Sequence, residues 1–130
     1  MKRDERGGWV KEDGDHLAIG ATRRLRALVA TGYTPAHLVE YVAIMGAEPC
    51  LGLDERIADL LEARQQWVSA LDHEVICQVF ERLQMQPGPS PAARAEAKRR
   101  RWPVPFELDE DRIDDPDYAP RRAQRKNAFA

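Results

Sequence analysis

Two runs of apolar residues at helical spacing, set a few residues apart, restrict what this chain can fold into more than any other feature. Leu38, Tyr41, Val42 and Met45 fall at i, i+3, i+4 and i+7, and Leu53, Ile57, Leu60 and Leu61 form a second stripe. Each run gives a helix one face to bury. Thr34 supplies a hydroxyl that can cap the first helix, Pro35 stands at its first position, and Gly46 can take the left-handed conformation that ends it. Asp54, Glu55, Asp59 and Glu62 lie opposite the second stripe. Starting that helix at Pro49 instead would put Gly52 inside it, at about 1 kcal/mol, and would leave the acids in place. Two short helices around a glycine-containing turn predict a helix-turn-helix over Thr34 to Val68, with the rest of the chain packed on it or trailing from it.

The flanking segments read as further helices. In residues 21–31, Leu25, Leu28 and Val29 share a face, Arg23, Arg24 and Arg26 fall mostly away from it, and Gly32 is the stop. Trp67 and Val68 turn inward, and Ser69, with Asp72 three residues on, approximates a capping box for a fourth helix. Its stripe of Ile76, Val79, Phe80 and Leu83 is the strongest in the chain. The prolines and glycine between Met85 and Ser90 end it, and Ser90-Pro91 can start a fifth helix whose apolar side is almost all alanine. Only Trp102 and its neighbours can hold that helix down. Residues 1–17 mix both charge signs with three glycines, and Glu107 to Asp117 carries seven acids against one arginine, too many for independent folding.

The expected architecture is therefore all-α: a small helical bundle with a helix-turn-helix-like core over residues 18–86. A flexible N-terminal arm over 1–17 precedes it, and a fifth helix with an extended charged C-terminal tail over 87–130 follows.

In 130 residues with 32% charged there is room for one core. The net charge of −2 divides into ten cations against fourteen acids up to residue 90 and ten against eight after it, so any nucleic-acid contact must come from local clusters. Cys50 and Cys77 form no paired framework and the first ten residues no apolar signal, which places the chain in a reducing cytoplasm. No apolar run is long enough to span a bilayer. His16 and His37 stand alone, and His73 with Cys77 supplies only two ligands on one helical face, so no metal site is expected. There is no phosphate-binding glycine loop and no serine placed with a histidine, so neither a cofactor nor catalysis is expected.

The stretch Leu83-Gln-Met-Gln-Pro-Gly-Pro-Ser90, followed by Ala93-Arg94, Trp102, Ile113-Asp-Asp-Pro116 and Pro120, resembles a family of small helix-turn-helix proteins of high-GC Gram-positive bacteria and their phages. The likeness covers residues 20–120 in order, and the tail is its most specific part. It implies DNA binding in transcriptional control. The chain departs from the family in the long connection from Gly46 to Leu53 and in the acidity of the helix that should read bases.

Residues able to meet DNA are Arg56, Arg64, Gln65 and Gln66 near that helix, the run Lys98, Arg99, Arg100 and Arg101, and Arg23, Arg24 and Arg26 of the first helix. The first-helix arginines read equally well as a solvated face. The 98–101 run could instead pair with the acidic block. The expected partners are double-stranded DNA and, through residues 107–117, a protein, with a homodimer left open. A protein-interaction module acting through the acidic helix and the charged tail is the alternative function.

Overall fold

The computed structural model describes residues 1–4, 7–46 and 52–119. Five α-helices, α1 (Ile19–Thr31), α2 (Pro35–Gly46), α3 (Leu53–Leu61), α4 (Ala70–Leu83) and α5 (Pro91–Arg99), are joined by a small antiparallel sheet of β1 (Lys2–Arg3), β2 (Trp9–Val10), β3 (His16–Leu17) and β4 (Trp67–Val68). The helical bundle follows the sequence reading, but the fold is not purely α.

The helical stripes lie where the spacing puts them. Leu38 and Val42 of α2, Leu53, Ile57, Leu60 and Leu61 of α3, and Ile76, Val79, Phe80 and Leu83 of α4 are all buried. Tyr41 is more open and Met45 only partly covered. The Ser69 hydroxyl accepts the Asp72 N–H at 3.1 Å, as a cap should, while the Asp72 carboxylate turns to Arg56 at 3.0 Å. Gly46 closes α2 as its last helical residue, and it is Gly52, at φ 76°, that takes the left-handed conformation just before α3. The connection through residues 47–51 lies outside the described residues.

The hub is α1, not the α2–α3 pair. Small residues on several sides, Gly20, Ala21, Thr22 and Ala27, let neighbours approach all round it, and Leu25 and Leu28 are fully buried. Helices α3, α4 and α5 all pack against it. Its C-terminus ends with N–H bonds from Gly32 to the Val29 carbonyl (2.9 Å) and from Tyr33 to the Leu28 carbonyl (3.1 Å), the left-handed closure that glycine favours. Here the Pro-Gly-Pro-Ser segment docks. The Gly88 N–H donates to the Thr31 carbonyl and the Ser90 N–H to the Gly32 carbonyl. A Cβ on Gly88 would stand 2.3 Å from the Gly32 carbonyl carbon, so two backbones touch and neither residue can carry a side chain. The Ser90 hydroxyl then caps α5 by accepting the Ala93 N–H at 3.1 Å. Helix α5, expected to be loosely held, runs from Pro91 to Arg99 with Ala93 and Ala97 buried against α1.

The described residues of the segment 1–17, expected as a flexible arm, carry three short strands. Strands β1 to β3 pair in sequence, and β3 joins β4 with His16 opposite Val68 and Leu17 opposite Trp67. The described part of the tail, up to residue 119, likewise packs on the bundle. Trp102, Leu108 and Ile113 are buried, and a short 3-10 turn over Pro105–Glu107 lies against α1. The Asp114 carboxylate reaches Arg24 at 2.6 and 3.0 Å, both side chains almost fully buried. Gly20 makes room for it, since a Cβ there would overlap Asp114 Oδ1 at 1.6 Å. Arg23 donates to the carbonyls of Ile113 (2.9 Å), Asp115 (2.7 Å) and Tyr118 (2.7 Å). The Ile-Asp-Asp-Pro element is thus clasped by two α1 arginines.

Candidate functional site

Where α3 and α5 end beside α1, the surface opens into a cleft of about 650 Å³. Both helices stop in the manner of α1 but without glycine. The Ala63 and Arg64 N–H groups donate to the Leu60 and Asp59 carbonyls, and those of Arg101 and Trp102 to the Lys98 and Ala97 carbonyls. Ala63 at φ 56° and Arg101 at φ 60° therefore sit in the left-handed region, a conformation that costs a residue with a Cβ about 1 kcal/mol or more. Both line the same cleft.

Six of the eleven residues proposed for DNA contact meet here: Arg23, Arg26, Gln65, Gln66, Arg100 and Arg101. Leu17, Ile19, Trp102 and Pro103 supply apolar wall, and no Asp or Glu among the described residues lines it. Arg26 and Arg100 lie over the Trp102 ring, 4.9 and 4.2 Å from its centre. The Arg26 Nε donates to the Leu61 carbonyl at 2.7 Å. Burial, and then the nearby Arg100 charge, push the Arg26 pKa below its ordinary value, against the opposing pull of Glu62. Arg100 is held bidentately by Glu62 at 2.6 and 2.7 Å, which lowers the Glu62 pKa through that bond. The Gln65 amide turns to the Trp67 carbonyl at 2.9 Å.

The remaining candidates are elsewhere. Arg24 is internal: burial opposes its charge, and the bond and attraction of Asp114 outweigh that, leaving its pKa raised. It can be neither a phosphate ligand nor part of a solvated face. Arg23 is largely spent on tail carbonyls, and burial lowers its pKa. Arg56 faces Asp72, Arg64 faces Asp59 at 3.2 Å, and Arg99 pairs with Glu96. The 98–101 run does not pair with the acidic block; Lys98 and Arg101 are exposed and make no ion pair among the described residues.

No family model, curated protein or solved structure matches this chain. Function therefore has to be argued from the site. Sequence reasoning missed Trp102 as the cleft wall and Glu62 as the anchor of Arg100. The isolated tryptophan just after four cations was the available signal, since a guanidinium stacks readily on an indole. The outward side of α3 carries exposed Asp54 and Glu55 with half-exposed Asp59, which faces Arg64, and its Arg56 is engaged by Asp72. That side repels phosphate. No helix among the described residues is long and apolar enough to cross a membrane.

Proposed function

We propose that this chain is a DNA-binding regulator of the helix-turn-helix type, of phage or bacterial origin, that holds the duplex backbone at the cleft rather than through the N-terminal turn of α3. The observation that carries the reading is a wall with four guanidinium groups, the open Arg101 among them, and no carboxylate among its described lining residues, with Lys98 exposed nearby on α5. Such a wall attracts an anion, and a row of cations at a surface edge attracts a polyanion. With the α3 face negative, sequence readout is weak and phosphate contact dominates. Labelled duplex DNA titrated at about 50 and 200 mM salt tests this. Binding that weakens steeply with salt supports the reading; no binding to any duplex at either salt overturns it.

A second reading, a protein-interaction module, is favoured by a separate surface. The ends of α2, α3 and α4 converge where Arg56 meets Asp72 and where a Cβ on Gly46 would stand 3.8 Å from Val75. Exposed Ile44 and Leu71 and the acids Asp54 and Glu55 belong to these ends. The mixture suits a basic, apolar partner segment. Reversing charge with D54K/E55K separates the two: tighter DNA binding follows from the first reading, loss of a captured partner from the second.

A further inference from the structure

Between the small sheet, α4 and Asp114 of the tail, four segments distant in sequence place side chains around a second cavity, of about 600 Å³. Asp4 follows β1, His16 stands in β3, and His73 and Cys77 lie one turn apart on α4. His16 does not stand alone, as its sequence neighbourhood suggests. Its ring stacks on that of His73, with centroids 4.0 Å apart and planes 7° from parallel. The Asp4 carboxylate lies 3.9 Å from His16 Nδ1. One ligand atom from each of Asp4, His16 and His73 falls within 4.8 Å of the others.

His73 carries the second observation. It is 8% exposed, and its Nδ1 is buried without a hydrogen-bond partner. Its Nε2 lies 3.6 Å from Cys77 Sγ. A buried polar atom left unsatisfied is unfavourable and calls for an explanation. Histidine ligates a metal through such a nitrogen lone pair.

We infer that Asp4, His16 and His73 form a binding site for a first-row transition-metal dication, with zinc the best fit to two imidazoles and a carboxylate. Three protein ligands leave a fourth position for water. Cys77, against the second nitrogen of His73, positions that ring from outside the ligand set. Tetrahedral ligation at bond lengths near 2.0–2.1 Å brings ligand atoms to about 3.4 Å from one another, and because each imidazole lone pair lies in its ring plane, the His16 ring turns out of its parallel stack on His73 to share a metal with it. His16 is about a quarter exposed in β3, and Asp4, just past β1, keeps one carboxylate oxygen on the Gly8 N–H at 2.9 Å and turns the other toward His16. Bound metal would staple the sheet to α4.

The full chain, stripped with a chelator and titrated with zinc chloride by calorimetry, tests the site. One equivalent should bind with a Kd of about 10 μM or tighter, and the thermal midpoint should rise with zinc. His16→Gln and Asp4→Asn, both at partly exposed positions, should each weaken binding at least about tenfold, while His37→Gln leaves it unchanged. No binding, or binding that H16Q and D4N leave intact, overturns the assignment. Cobalt(II) used as a spectroscopic probe should give the visible absorption of a tetrahedral site that H16Q abolishes; an octahedral spectrum equal in wild type and H16Q counts against it.

Discussion

At the level of single residues, Arg24 and Asp114 tie the tail to the hub helix. Each would be a severe burial penalty alone, and together they satisfy one another bidentately in the interior. Asp114→Asn should therefore destabilise the protein by about 3–5 kcal/mol in urea denaturation, because it strands a buried guanidinium. The double substitution Arg24→Met with Asp114→Leu should recover much of that loss, and the recovery measures the coupling. A D114N variant as stable as wild type would show that the tail is not held this way. None of this was legible in the sequence. Arginines beside an apolar stripe read as solvated because the partner lies ninety residues on, inside an acidic run that reads as disordered. What could have been noticed is Gly20 one turn before Arg24, in a helix otherwise free of glycine, since the missing side chain is the space Asp114 fills.

Among the elements, the helices were readable and their covering was not. Stripes and caps place α1 to α5 within a residue or two, because amphipathic period and N-cap chemistry are local signals. Strands of two residues show no alternation and owe their existence to pairing with one another and with β4, which no local pattern reveals. The Pro-Gly-Pro-Ser segment was visible as a helix stop, but its docking on Gly32 was not, being a contact between backbones. Gly88→Ala should consequently disrupt the α4–α5 connection and lower the thermal midpoint far more than an alanine at exposed Gly52. The non-glycine helix ends give a sharper test. Arg101→Gly removes the left-handed strain, so stability should be unchanged or rise by up to about 1 kcal/mol, while affinity for DNA falls. Stability and binding moving down together would mean that the Arg101 side chain supports the fold instead of the cleft.

Taken as a whole molecule, the chain turns one set of arginines inward to clasp its tail and leaves another at a cleft, and it keeps its exposed third helix acidic. The six convergent residues were each picked out by charge or hydrogen-bonding type, yet their meeting depends on α5 folding back beside the end of α3, a tertiary fact. The acids around that cleft are engaged, Glu62 by Arg100 and Glu96 by Arg99. Lys98 and Arg101 stay exposed at that edge of a protein whose net charge is negative. The measurement that bears most directly on this division of labour is the salt dependence of duplex DNA affinity for the wild type and for Lys98→Ala/Arg101→Ala. Each phosphate contact contributes about −0.9 to the slope of log K against log salt. The double variant should keep the wild-type fold and lose about two units of slope; a slope identical to wild type, or no affinity in either protein, would contradict it.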